Sequence, residues 1–355
     1  MSENLCISAI IPVYNGKKYL LDAINSVISQ TLPPIELIVV DDGSTDGSMS
    51  LLEGIEAPFP IIKVSQQNAG QSAARNHGSR LAKGDYIALL DQDDIWYPEH
   101  LNALANQFLK SSDTRLAWVY SNMDEIDEQG LMIRYKILSS IPVNNTKTNI
   151  DDLLGCDIFV LPSSSLIKLS ALNDIGMFDE QLSGYEDDDL FLRMFRAGYT
   201  HAYIKQPLSK WRLYGSSSSY SPRMNKSRRI YAKKLGLLFP DDAQMHRNWM
   251  RDRIAPRFFN NVMDSYNRAF SLNDWNACLE MLSDVLMFAN LTDIVHIGRK
   301  QRLSFKLMAR PRLYKKLLAI KDHMPFFLKS VVSKLIFMLS ILLPAITSPT
   351  KSTME

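Results

Sequence analysis

Leu37-Ile38-Val39-Val40-Asp41-Asp42-Gly43-Ser44-Thr45-Asp46-Gly47-Ser48 is an aliphatic run that closes on two carboxylates and a turn. Four consecutive aliphatic residues, three of them β-branched, read as a buried strand, and Asp and Gly favour the turn that follows. The same pattern recurs at Tyr86-Ile87-Ala88-Leu89-Leu90, which runs into Asp91-Gln92-Asp93-Asp94. In an open α/β sheet, ligands bind outside the carboxyl ends of the strands. Carboxylates delivered to that edge suit a hard cation, and such a cation is commonly shared with phosphates. Two further acidic clusters follow, Asp124-Glu125 and Glu186-Asp187-Asp188-Asp189. The series points to a ligand carrying a diphosphate.

Working outward, Ile7 to Val13 reads as a strand that ends in the turn Tyr14-Asn15-Gly16. Tyr19, Leu20, Ala23, Ile24, Val27 and Ile28 recur at helical spacing until Pro33-Pro34 stops them. Further strands are expected at Glu36 to Val40, Ile61 to Val64, Tyr86 to Leu90 and Ala117 to Tyr120. Helices are expected over Ser72 to Leu81, ended by Gly84, and after Pro98. Two short strands around Asp124 to Ile137 suggest a hairpin, Leu161 to Ile167 a return to the sheet, and Asp187 to Ala197 a helix capped by Gly198. Strands alternating with helices predict βαβ units and a largely parallel sheet.

Beyond Ser221 the periodicity turns helical, with Trp249, Phe258, Phe259, Tyr266 and Trp275 as candidate core. The expected organisation is an α/β domain over 1–222, a helical region over 223–325 and a hydrophobic segment over 326–347. That segment is shorter than the roughly 20 apolar residues a bilayer span needs, and Lys329 and Lys334 interrupt it. From Arg299 to Lys334 there are eleven Lys or Arg and one acid, Asp322, so this stretch is +10 within a chain whose net charge is +2. Apolar residues mixed with lysines suit a helix in a membrane interface or, alternatively, one docked on protein. No nucleic-acid motif accompanies the basic stretch, and nucleic acid is not an expected partner.

Of the 355 residues, 46% are hydrophobic and 22% charged, a globular composition with room for a large domain and a smaller one. The three cysteines, Cys6, Cys156 and Cys278, form no CxxC pair, so no disulfide framework or zinc ribbon is implied. The polar start at Met1 to Leu5 does not read as a signal peptide. A cytoplasmic location at the inner face of the cell membrane is the expectation.

Taken in order, Ile10-Ile11-Pro12-Val13-Tyr14-Asn15-Gly16, Val40 to Ser48, Gln67-Asn68-Ala69-Gly70 with Ser72 to Gly78, Asp91-Gln92-Asp93-Asp94, Gly176-Met177-Phe178-Asp179-Glu180 and Glu186 to Arg193 resemble the family 2 glycosyltransferases. These are inverting enzymes of the GT-A fold, a Rossmann-like mixed α/β sheet. The resemblance covers about Ile7 to Ser219. Any one piece occurs by chance; the ordered series is specific.

The resemblance implies roles, residue by residue. Pro12, Tyr14 and Asn15 shape a loop around the nucleotide base, and Asp42 accepts a hydrogen bond from a base N–H. An acceptor-only carboxylate suits a uracil-like imide, hence a UDP- or dTDP-sugar donor. Arg75 offsets phosphate charge. Asp93 ligates Mg²⁺ or Mn²⁺, with Asp91 on the ribose or a metal-bound water. Asp94 serves here or caps the next helix near Pro98. Asp187 is the base that takes the acceptor proton, with Glu186 and Asp189 orienting it or touching the acceptor. Arg212 faces the diphosphate, while Tyr214 stands where histidine is common. A solvated turn accounts for Asp41-Asp42-Gly43, and the helix dipole accounts for Glu186-Asp187, when each is taken alone.

The implied activity is transfer of a sugar to an acceptor hydroxyl, on a glycan or lipid-linked acceptor in surface-polysaccharide assembly. A nucleotidyltransferase is a poorer match, because Tyr14-Asn15-Gly16-Lys17-Lys18 lacks the Gly-rich activating loop it needs. A non-catalytic nucleotide-sugar-binding scaffold is the third reading.

Overall fold

The computed structural model describes residues 5–140, 149–214, 222–244, 246–292 and 307–322. The chain divides into two compact units, Met1–Ser227 and Arg228–Glu355.

The first unit is built on a mixed sheet. Its strands are β1 (Ile7–Val13), β2 (Glu36–Asp41), β3 (Ile61–Ser65), β4 (Tyr86–Leu89), β5 (Ile95–Trp96), β6 (Leu116–Ile126), β7 (Met132–Arg134), β8 (Ser165–Lys168) and β9 (Thr200–Arg212). They lie in the order β3-β2-β1-β4-β8-β6-β9-β5, with β7 on β6. The β3-β2-β1-β4 half is parallel. β8 runs antiparallel to both β4 and β6, and β9 is parallel to β6. The chain leaves β1 in one direction for β2 and β3, then returns to the other side of β1 as β4. The strand order therefore reverses between β1 and β4, and the crevice at their carboxyl ends is the topological switch point where ligands settle in this class of sheet.

Helices α1 (Leu20–Ile28), α2 (Gln71–Leu81), α3 (His100–Lys110), α4 (Ile137–Ser140), α5 (Ile150–Gly155), α6 (Leu169–Asp174) and α7 (Glu186–Arg196) complete the unit. All seven residues of β1 are buried, as expected of a strand covered on both faces. Its alternate residues Ile7, Ala9, Ile11 and Val13 share one core cluster with Leu20, Ala23, Ile24 and Val27 of α1. On the opposite face Ile10 meets α2 at Gly78, where a Cβ would stand 2.6 Å from Ile10 Cγ2. A glycine is the residue that lets this helix approach so closely.

Several expectations are revised. The strand anticipated at Ala117 to Tyr120 extends to Ile126 and turns through a hairpin into β7, pairing Glu125 with Arg134. Leu161 to Ile167 does rejoin the sheet, but only from Ser165. Gly84 does not cap α2, which ends at Leu81 with Ala82 following in extended conformation. Gly84 is instead demanded by packing, since a Cβ would lie 2.6 Å from the Ser8 amide nitrogen. Asp94 does not cap α3, whose preceding residue Glu99 makes no side-chain cap. The 13-residue β9 was not legible in the sequence. Pro207 interrupts its pattern, and a proline is tolerated there because its register with β6 shifts beside it, at Ser121, Asn122 and Met123.

The second unit is helical. It contains the later part of α8 (Pro222–Leu238), a π-helical turn at Met250–Ile254, α9 (Ala255–Ser271), α10 (Trp275–Leu291) and a helix at Pro311–Asp322. α9 and α10 form a hairpin, with Asp274 capping α10 by accepting from the Ala277 amide at 3.0 Å. Phe258 stacks on Phe288 at 5.4 Å between centroids. Of the five aromatics expected in this core, Phe258 and Tyr266 are buried, and Trp249, Phe259 and Trp275 are half-buried. The segment 326–347 lies outside the described residues. Among the described residues no helix is long and apolar enough to cross a membrane.

Candidate active site

A cavity of about 840 Å³ opens at the carboxyl ends of β1 and β4. Pro12, Tyr14, Asn15, Asp42, Arg75, Asp91, Asp93, Glu186 and Asp187 all line it. Residues more than 170 positions apart thus share one wall. Loop chemistry explains how each is held.

The turn after β1 is clamped from three directions. Gln92 exchanges hydrogen bonds with Tyr14, its Oε1 accepting from the Tyr14 amide at 2.9 Å and its Nε2 donating to the Tyr14 carbonyl at 3.1 Å. Asn15 sits at φ 50°, a conformation Asn tolerates. Its Oδ1 accepts from the Thr45 amide at 2.8 Å and its own amide donates to Ser44 Oγ at 3.0 Å.

Asp42 fastens a second loop. Its Oδ1 accepts from Gln66 Nε2 and the Ala69 amide, both at 2.8 Å, and its Oδ2 accepts from the Gly70 amide at 2.9 Å. A carboxylate offers about four acceptor sites, so three protein donors leave room for one more.

Arg75 is the buried link of the site. From α2 its Nη2 donates to Asp91 Oδ1 at 2.6 Å and its Nη1 to Glu186 Oε1 at 2.9 Å. Its guanidinium lies 5.3 Å from the Phe178 ring centroid. Burial opposes its charge, but Asp91 and Glu186 outweigh burial and hold its pKa above the ordinary arginine value. Both terminal nitrogens of the guanidinium are committed to protein carboxylates. Asp91 Oδ1 also accepts from Gln71 Nε2 at 2.8 Å, and its amide donates to Ser163 Oγ at 3.0 Å.

Asp93 is pushed up to about 6, by burial first and then by the neighbouring Asp91 charge. Its Oδ2 accepts from the Tyr214 hydroxyl at 2.8 Å. A carboxylate so placed is short of positive charge, and hard oxygen donors at this spot fit a divalent cation. Among the described residues no three His, Cys, Asp or Glu side chains converge into a ready-made metal site. A magnesium-type ion commonly takes one or two carboxylates and completes its shell with substrate phosphates and water.

The four acids at the start of α7 divide their work. Glu186 holds Arg75. Asp187 faces the cavity, half-buried, and its pKa is raised well above the carboxylate range by burial and then by Glu186 and Asp188. Asp188 accepts from the Ile158 amide at 2.7 Å. Asp189 is fully buried and accepts from Arg193 Nε at 2.8 Å, while Arg193 donates onward to the carbonyls of Ile175 and Met177. Asp189 therefore ties α7 to the Gly176-Met177 turn and does not reach the cavity. Tyr185, just before α7, sits at φ 63°. A bulky residue in that region is uncommon and tends to mark functional backbone.

Arg212 is also placed differently from expectation. It is buried and does not line the cavity. Its Nε donates to the Asp93 carbonyl at 2.9 Å, Nη1 to the Glu128 carbonyl at 3.2 Å and Nη2 to Asp22 Oδ2 at 3.1 Å. It braces the acidic turn from behind. Gln92, Gln71, Phe159, Tyr185, Trp211 and Met224 line the cavity without having been singled out from sequence. Gln92, Gln71, Tyr185 and Trp211 sat inside or beside the motifs; Phe159 and Met224 carried no local signal.

Comparisons with known proteins agree with this architecture. The model of the family described as Glycosyl transferase family 2 matches residues 8–176. An uncharacterized glycosyltransferase of Rickettsia felis is 33% identical over 55% of this chain and 32% of its own length. A second, from Rickettsia prowazekii, is 30% identical over 62% of this chain and 68% of its own length. The amylovoran biosynthesis glycosyltransferase AmsB of Erwinia amylovora is 27% identical over 59% of this chain and 71% of its own. The chain spans about a third of the length of the first curated relatives it matches. Among solved structures, S. aureus TarS residues 1–349 in complex with UDP-GlcNAc superposes with a TM-score of 0.55 at 18% identity, over 85% of this chain and 88% of that one. The mannosyltransferase PcManGT from Pyrobaculum calidifontis, in complex with GDP-Man and Mn²⁺, gives 0.52 at 16% identity, over 96% and 87%. These structural likenesses establish the GT-A fold. With the ordered motifs gathered around one cavity and the family match over the same strands, the chain belongs to glycosyl transferase family 2.

Proposed function

We propose that the Met1–Ser227 unit transfers a glycosyl group from a nucleotide-diphosphate sugar to an acceptor hydroxyl with inversion. The observation that carries this reading is the single cavity that holds Asp91 and Asp93 from the end of β4 beside Asp187 at the start of α7. Donor chemistry and acceptor chemistry meet there, joined through Arg75.

In this reading the acceptor oxygen attacks the anomeric carbon in line as the bond to the diphosphate oxygen breaks. Asp187 takes the acceptor proton, and its raised pKa makes it a stronger base than an ordinary carboxylate once deprotonated. Asp93, with Asp91 beside it, would hold Mg²⁺ or Mn²⁺, which offsets charge on the departing nucleoside diphosphate. Pro12, Tyr14, Asn15 and the remaining acceptor site of Asp42 surround the base. UDP- and dTDP-sugars are the favoured donors because a carboxylate there suits an imide N–H. TarS, which binds UDP-GlcNAc, supports the uridine choice; PcManGT, with GDP-Man and Mn²⁺, supports the use of a cation.

The acceptor we favour is a glycan or lipid-linked saccharide in surface-polysaccharide assembly, in keeping with the amylovoran relative. The protein would work in the cytoplasm, peripherally at the inner face of the membrane, held there by the basic stretch from Arg299 to Lys334.

Calorimetric titration of UDP, dTDP and GDP, each with and without Mn²⁺, tests the proposal against Asp93→Ala. Metal-dependent binding of one nucleotide that disappears in the variant is the expected result. Binding of none, with or without metal, would sink it.

A further inference from the structure

The end of β9 grips the acidic turn at three points. Asp94 Oδ1 accepts from the Arg212 amide at 3.0 Å, and Arg212 Nε donates to the Asp93 carbonyl at 2.9 Å. Two residues on, Tyr214 donates its hydroxyl to Asp93 Oδ2 at 2.8 Å. The first ties the Asp94 carboxylate to the backbone at the end of β9, and the second ties the Arg212 side chain to the Asp93 backbone. The third holds the Asp93 carboxylate.

Tyr214 is braced in turn. Its ring packs against Tyr19 with centroids 5.3 Å apart, and the Arg212 guanidinium lies 4.5 Å from the same Tyr19 centroid. Tyr214 and Asp93 both line the cavity. A tyrosine hydroxyl is an ordinary neutral hydrogen-bond donor near neutral pH, and here it donates to the carboxylate.

We infer that Tyr214 is a positioning residue that engages Asp93 Oδ2 and so presets the carboxylate to offer Oδ1 to a divalent cation. The inference rests on the donor-site reading above. A carboxylate on a freely turning side chain must be immobilised when it ligates, and a standing hydrogen bond removes that cost beforehand. The chemistry of the partner matters. A lysine or arginine at this place would neutralise the carboxylate and compete with the cation. A neutral phenol orients the group and leaves its charge available.

The test uses the full chain and Tyr214→Phe, which deletes one oxygen and keeps the ring on Tyr19. Mn²⁺ is titrated calorimetrically in the presence of saturating UDP, dTDP or GDP. Nucleotide affinity without metal and the thermal midpoint are measured alongside, with Asp93→Ala as reference. The expected result is Mn²⁺ affinity weaker by about tenfold or more in Tyr214→Phe, with metal-free nucleotide affinity and midpoint unchanged. Mn²⁺ affinity equal to or tighter than that of the unaltered chain overturns the inference, and a loss confined to Asp93→Ala would leave the donor-site reading standing. A parallel fall in midpoint and metal-free affinity also overturns it, because that is a packing role. If the unaltered chain shows no Asp93-dependent Mn²⁺ binding, both readings fall.

Discussion

Arg75 donates to Glu186 at 2.9 Å across 111 residues of sequence, and its other terminal nitrogen donates to Asp91. One guanidinium thereby joins the turn after β4 to the first residue of α7. The proposed base Asp187 is the next residue after Glu186, so the distance between the Asp91 and Asp187 sides of the cavity depends on this link. Arg75 is 1% exposed, and removing it would leave two carboxylates without their shared cation.

Arg75→Met is expected to destabilise the protein by about 3 kcal/mol, the lower end for breaking a buried pair, because Asp91 keeps some solvent. Arg75→Lys should recover part of the loss, since an ammonium keeps the charge but cannot fork to both partners. Urea unfolding of the two variants measures this. Equal stability for Met and wild type would mean that the link carries no energy.

Asp187→Asn should lower transfer by about 10²- to 10⁴-fold while sparing donor binding, as expected for loss of a general base. The rate on the intact protein should fall at the acid side at a higher pH than an ordinary carboxylate would give, because burial and the neighbouring Glu186 and Asp188 raise Asp187. A pH–rate profile with calorimetric donor binding checks both. Turnover unchanged in the amide would move the base elsewhere.

Gly78→Ala tests the seat of α2 on the sheet. The added methyl would stand 2.6 Å from Ile10 Cγ2 and 3.1 Å from Val40 Cγ2. Both neighbours lie on fully buried central strands, so neither has room to give. A loss of about 1–3 kcal/mol is expected. Because α2 carries Arg75, nucleotide binding should weaken in the same variant. Denaturation and binding curves that match wild type would show that the helix can retreat at no cost.

His100 sets a pH limit on stability. It is fully buried, stacks on Trp96 with centroids 4.5 Å apart, and its Nδ1 lies 3.0 Å from the Leu208 carbonyl, so the ring is neutral with Nδ1 donating. Burial lowers its pKa from 6.5 to about 3. Between those values the unfolded chain binds a proton that the folded chain does not. Stability therefore falls as pH falls through this window, by at most about 1.4 kcal/mol per pH unit from this group. His100→Phe should be less stable near neutrality, having lost one of the two hydrogen bonds to the Leu208 carbonyl, yet lose less on going from pH 7 to pH 4.5. Parallel losses in the two proteins would remove His100 from the account.

Much of the fold was written locally. The aliphatic runs at Ile7, Leu37 and Tyr86 needed no partner to be read as strands, because a strand buried on both faces is apolar throughout. The acids at their ends were visible for the same reason, as abrupt changes from apolar to charged. The helical character of the second unit was legible from its apolar spacing. β9 was not, because its pattern is interrupted by Pro207 and it is stabilised by pairing along β6, a contact between distant parts of the chain.

Sequence by itself determined which residue types arrive at the ends of β2 and β4 and at the start of α7, and Asp42, Asp91, Asp93, Glu186 and Asp187 line one cavity there. Only the tertiary structure decided what each is bonded to once there. Asp189 and Arg212 turn inward, Arg75 is committed to two carboxylates, and Tyr214 comes to rest on Asp93. The physical reason is that a charged side chain taken out of water must find a partner, and the partner it finds is fixed by packing across the sheet rather than by its neighbours in the chain.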